Sequence, residues 1–218
     1  CSGAETGEMT VNNPLMLLIA ILIVGCLAFV IRQSAILATR LDRLHWRILT
    51  TRDSLALLLD ERARYGQRIA EYPDLPSAVS AEVSSAACAC VRSEDLPLVA
   101  DGLDRRSTEA AATDEETRTQ SLAYLEAQSA LSRVLRSAIN TQVRERMESD
   151  PYWSRELHQL DQVSYKVQLA RSMHNLYVSQ TRKIRERTWV RLAHLAGHAP
   201  YAVSVDFDDD TLEDGLGY

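Results

Sequence analysis

Residues 14–31 read PLMLLIAILIVGCLAFVI, eighteen positions without a charge, and Arg32 follows at once. At a rise of about 1.5 Å per residue this run extends about 27 Å as a helix, close to the roughly 30 Å apolar core of a bilayer. Apolar side chains on every side of such a helix leave no face for water. The run therefore predicts a transmembrane helix over residues 14–32, with Arg32 reaching its charge toward the lipid headgroups. A cleaved secretory signal would need a basic leader, a shorter apolar core and a small-residue cleavage site. The residues before Pro14 carry Glu5 and Glu8 but no Lys or Arg, and Phe29-Val30-Ile31-Arg32 offers no such site. Arg32, Arg40, Arg43 and Arg47 all lie C-terminal to the run. The positive-inside rule then puts residues 1–13 outside a bacterial plasma membrane and the bulk of the chain in the cytoplasm.

Composition sets the fold class. Ala, Leu and Arg dominate the remainder, the 218 residues hold only eight Gly and two Phe, and no alternating β-branched stretch occurs. This is an all-α composition. Lys166 and Lys183 are the only lysines, an Arg bias expected of a GC-rich bacterial genome. The net charge of −6 gathers its acidic excess in the middle and tail and its basic excess near the apolar run, which disfavours nucleic acid as a partner. Cys26 falls in the span, Cys88 and Cys90 after it, and Cys1 alone before it, so no secreted disulfide framework is implied. Two positions apart on a helix, Cys88 and Cys90 point to different faces, which argues against a shared metal. Cys1 fits either a lipidated mature N-terminus or a translation start at Met9.

Four periodic stretches follow within a predicted cytoplasmic bundle over residues 33–200. Leu37, Leu41, Leu44, Ile48, Leu55 and Leu58 recur at four-and-three spacing with a polar interruption at Thr51, the seam of a bundle or coiled coil. No Pro or Gly separates this seam from the apolar run, so one helix is predicted to continue until Gly66 or the Tyr72-Pro73-Asp74-Leu75-Pro76 break. A shorter helix is predicted over residues 77–91, and residues 93–114 read as a connection with one turn of helix. A third helix is predicted over residues 115–147, with Tyr124, Ala127, Leu131, Val134 and Ala138 inward. A fourth starts at Asp150 as N-cap and Pro151 as first helical residue, and runs to Leu195 before Gly197. About four antiparallel helices in alternation return the basic stretch of Arg182, Lys183 and Arg185 toward the bilayer. With Arg32, Arg40, Arg43, Arg47 and Trp189 they would form a collar contacting lipid headgroups; the alternative is a solvated basic helix end favoured by the helix dipole.

Residues 38–45 (ATRLDRLH), the late stretch 167–178 (VQLARSMHNLYV) and the closing 191–200 (RLAHLAGHAP) resemble the LemA family, in its divergent branch from high-GC Gram-positive bacteria. Ala170, Arg171, His174 and Asn175 lie on that family's A-R-x-x-(Y/H)-N-x-x-V motif, with His174 where tyrosine is usual. The resemblance implies one N-terminal membrane helix, a cytoplasmic bundle of long antiparallel helices, and no established reaction.

Enzymatic signatures are thin. Arg171, His174 and Asn175 are spaced to form a polar cluster inside the bundle, but a buried histidine held by a helix partner explains them better than a catalytic base does. His194 and His198 have metal-pair spacing, which Gly197 interrupts. His158 with Asp161 approaches a di-iron pattern without second-helix partners. No P-loop, nucleotide-binding glycine pattern, nucleophile elbow or zinc set occurs. The acidic residues 201–218 lack EF-hand spacing and read as a disordered tail able to dock on a basic partner. The expectation is a single-pass, non-catalytic scaffold or accessory subunit of a membrane protein complex, with no cofactor and with self-association open. A sensor of anionic lipid and, less so, a bundle-core metal enzyme or hydrolase are the alternatives.

Overall fold

In a computed structural model, residues 14–91, 97–103, 115–187, 190 and 200–210 are described. They contain five helices and no strand: α1 (Pro14–Ala70), α2 (Ser77–Ala89), α3 (Glu115–Ala138), α4 (Thr141–Ser149) and α5 (Pro151–Arg185). The fold is all-α.

The 57 residues of α1 pass from the apolar run into the bundle without a break. Its first turns are outside any core: Leu22, Val24 and Phe29 are all exposed, making this the one candidate membrane-spanning helix among the described residues. Gly66 does not stop the helix. It faces both α2 and α3, a Cβ there lying 3.4 Å from Leu131 Cδ1 and 3.6 Å from Ala87 Cβ. The chain leaves α1 at Ala70 through the Tyr72-Pro73 turn, where proline forbids a further helical hydrogen bond.

α2 runs back along the end of α1, with Ser80 Oγ donating to the Ala70 carbonyl and Ala87 beside Gly66. α3 runs in the direction of α1, since Tyr124 reaches Asp60 while Arg62 reaches Gln128 and Ser132. α5 then descends the whole bundle: Arg68 pairs with Glu156 near its start, and Ile184 packs on Leu41 and Leu44 at its end. The largest core lies toward the far end of α1 and includes Ile69, Val83, Leu131, Leu135, Ile139, Met147, Leu157 and Leu160.

Three expectations are corrected. The third helix is broken, because Asn140 leaves the helical path and accepts from the Val143 N–H at 3.0 Å, capping a separate α4. The fourth helix ends at Arg185, not Leu195, and residues 191–199 lie outside the described set. Its start is as expected, with Asp150 accepting from the N–H groups of Tyr152 and Trp153 at 2.8 and 3.2 Å. Residues 201–210 are no disordered tail: Ala202, Val205, Phe207 and Asp209 are buried against the bundle. Residues 211–218 lie outside the described set, as does most of the connection; its residues 97–103 contain no helix.

Candidate functional site

Two arrangements stand out, a basic face on α1 and a polar dock for the C-terminal segment. On α1, positions 32, 40, 43 and 47 fall on one side of the helix by its 3.6-residue period. Their arginines are exposed, and with Ile36, Thr39, Leu44 and Gln180 of α5 they line an open groove of about 610 Å³. Arg47 lies 5.7 Å over the Tyr177 ring. The row climbs about 22 Å from Arg32 to Arg47 at the helical rise. Arg182 and Lys183 are also exposed, but α5 ends level with Leu41 and Leu44, about 14–18 Å beyond Arg32 along α1. The basic residues thus form a ladder and not a ring at one height. Arg185 is not part of it: its side chain is buried, donates to the Pro200 carbonyl at 2.7 Å and stacks on Tyr201 at 3.9 Å. Trp189 lies outside the described residues.

The second arrangement centres on charges inside the bundle. Arg52 of α1 is buried and bidentate with buried Asp101, at 3.0 and 2.7 Å. Asp101 also accepts from the N–H groups of Leu103 and Val203, both at 3.1 Å, so the loop after α2 and the C-terminal segment meet on one carboxylate. Besides Arg185, four side chains of α5 hold that segment. Asn175 pairs with both backbone groups of Val205, at 2.8 and 2.9 Å, as a neighbouring β-strand would. Arg171 binds the Asp209 carboxylate through Nε and Nη2 at 2.6 and 2.7 Å, Gln168 donates to the Asp209 carbonyl at 2.6 Å, and His174 Nε2 lies 3.2 Å from the Val203 carbonyl. From α3, Arg136 grips Asp208 at 2.8 and 2.5 Å. Two guanidinium groups lie over the Phe207 ring, Arg62 at 5.8 Å and Arg171 at 5.6 Å from its centre.

The electrostatics follow from burial. His174 is fully enclosed; burial first, then the Arg52 charge, lowers its pKa from 6.5, and its Nε2–H donates to the carbonyl. Arg62 is buried among Ser132 and Gln128 oxygens; burial lowers its pKa, while the charges of Asp209 and Asp208 act the other way. The Arg136 hydrogen bond lowers the Asp208 pKa. Cys90 is buried and pushed up to about 11 by burial, whereas Cys88 is exposed.

Ala170, Arg171, His174 and Asn175 therefore converge: Ala170 packs beside Val205 and Phe207 while the other three bind the same segment. His174 takes a partner from the C-terminal segment, the Val203 carbonyl, and the Ile48 backbone of α1 also acts on its ring. His158 and Asp161 part company, to Gln162 at 2.9 Å and to Arg144 at 2.8 Å. Arg52, Arg62 and Asp101 escaped the sequence reading. The available signal was arginine at core-facing positions of the α1 seam, four residues after Ile48 and three after Leu59.

A scan of protein-family models, a search of curated proteins and a search of solved structures gave no match. Among the described residues no three His, Cys, Asp or Glu side chains gather as a metal-binding group. What the two arrangements can do is bind anions in the open groove and clamp an extended acidic segment on α5.

Proposed function

We propose that the chain is a single-pass membrane protein of LemA type, its N-terminus outside, whose cytoplasmic bundle is a non-catalytic scaffold or accessory subunit of a larger membrane complex. One observation carries this reading: the unbroken α1, which joins the apolar run to the bundle wall and displays the arginine ladder beyond it. The headgroup layer adds roughly 5–8 Å on each side of the apolar core. A ladder of about 22 Å outreaches that layer, so Arg43 and Arg47 are free for an acidic partner protein. Purification of the full chain in mild detergent should recover a stoichiometric partner, and Arg40→Gln/Arg43→Gln/Arg47→Gln should lose it. A chain recovered only by itself under several conditions would sink the accessory-subunit reading.

The second reading, a sensor of anionic lipid, is favoured by the same exposed arginines. It predicts that the triple variant changes the response to anionic lipid content in nanodiscs at low salt, with no partner present.

A further inference from the structure

Opposite its buried side, α5 presents a face that carries no charge between residues 162 and 180, in a chain of which 25% is charged. Gln162, Tyr165, Leu169, Ser172, Leu176 and Ser179 follow one another at spacings of three and four, with Met173 beside them. Their large apolar members stand in solvent: Tyr165 is 56%, Leu169 52%, Met173 36% and Leu176 48% exposed. That spacing is the a/d seam of a coiled coil, while the buried side of the same helix already serves the bundle through Leu160, Val163, Val167, His174 and Val178. An uncharged strip that exposes four large apolar side chains on one helix face is the kind of surface that marks an interaction site.

We propose that this seam is covered by the same seam of a second copy, in a parallel and symmetric pair. Two features point to a second copy. The seam is neutral, so nothing repels its own image. Its flanks carry opposite signs, Asp161 on one side and exposed Lys166 on the other, five residues apart. Five residues is the offset that joins the two flanking positions of neighbouring helices in a parallel coiled coil, so the two-fold axis forms each Asp161–Lys166 pair twice. Arg144 occupies Asp161 from within the chain at 2.8 and 3.1 Å, and the carboxylate, 28% exposed, retains acceptor sites for a lysine.

The parallel sense rests on the anchor reading. α5 runs antiparallel to α1, and two chains anchored in one bilayer both direct α5 toward it. A two-fold axis along the membrane normal then brings the two seams together in register. The seam extends about 26 Å, and fixed orientation in the bilayer removes part of the rotational freedom that association otherwise loses.

The test uses the full chain, with Cys1, Cys26 and Cys88 replaced by serine and buried Cys90 retained. Leu169→Cys and Leu176→Cys, each alone, should form disulfide-linked dimers under mild oxidation in detergent and in proteoliposomes of pure lipid, while Glu82→Cys on α2 should not. Because 169 and 176 would each meet their own image, efficient linking at both specifies the parallel register; linking at only one, or a 169-to-176 link in the double variant's mixed pair, overturns it. Leu169→Glu should raise the dimer dissociation constant at least tenfold by mass photometry and leave the unfolding transition in place, since the side chain is exposed. Lys166→Asp should give a smaller rise. A monomeric wild-type chain, or dimers untouched by Leu169→Glu, overturns the second-copy proposal, as does linking of Leu169→Cys in native membranes solely to a chain of different mass. Alkaline carbonate extraction tests the anchor separately: release of the chain would refute the anchor reading while leaving the detergent result to judge the seam.

Discussion

Beyond the level of Gly66, α1, α2, α3 and α5 close on one another with Ile69, Val83, Leu131, Leu135 and Leu160. Nearer the apolar run, the same α1 and α5 enclose Arg52, Arg62 and His174, and the contact is completed by a segment from the far end of the sequence. The first half tolerates any apolar side chain of about the right volume. The second requires each buried polar group to find its own partner, since an unpaired one retains its full desolvation penalty. Apolar packing therefore holds the far half, while the near half adds to its smaller apolar clusters a set of buried polar groups that each require a particular partner. Ala170, Arg171, His174 and Asn175 all belong to the near half.

The sharpest way to break this contrast is Asp101→Ala, which leaves the Arg52 guanidinium buried without its carboxylate. Loss of one partner of a buried ion pair is expected to cost about 3–5 kcal/mol, read from denaturant unfolding of the detergent-solubilised chain. In the apolar half, Leu131→Ala should cost about 3 kcal/mol, and a larger loss there than at Asp101 would invert the comparison. Asn175→Ala strips both backbone groups of Val205 of their partner and should cost about 1–3 kcal/mol. Its more telling signature is faster proteolytic cleavage within residues 201–210 while the helices stay protected.

Acid should weaken the polar half selectively. His174 has a folded pKa below 6.5, so under mild acid the unfolded chain binds a proton that the native ring refuses. Stability is therefore complete above pH 6.5 and falls as the pH drops through it toward the folded value. His45, also lowered by burial and by Arg185, acts in the same direction. His174→Gln should flatten the slope just below pH 6.5 without removing it, and an unchanged slope would exclude His174 as its source. Loss of the Asp208 contribution belongs to a lower window, the carboxylate range, because its folded pKa is depressed. The smallest effect is a gain: Gly66→Ala places a methyl at van der Waals distance in a helix interior and should stabilise the chain by about 0.5–1 kcal/mol. A loss instead would show that the helices cannot yield the few tenths of an ångström the methyl needs.

The same division explains what the sequence disclosed. α1, α2, the start of α5 and the inward face of α3 were legible because each is written locally, in period, proline and cap. The break at Asn140 was missed because Ser137-Ala138-Ile139-Asn140 contains neither Pro nor Gly, and only the Asn140 cap marks it. The docking of residues 201–210 was missed because aspartate-rich composition reads as solvated. Its signal was the alternation of buried Val205, Phe207 and Asp209 with outward neighbours, a period of two in a chain otherwise governed by 3.6. Arg52 and Asp101 lie 49 residues apart, and no local rule pairs them.

Because α1 continues without a hinge from Ile31 to Ala70, it behaves mechanically as a pointer. The part beyond the apolar run is about 58 Å long, so a change of about ten degrees in its inclination sweeps the far end sideways by about 10 Å. On the anchor reading, a bilayer thickness that mismatches the apolar run and so changes its inclination would be displayed as position at the tip of the bundle, amplified by length alone.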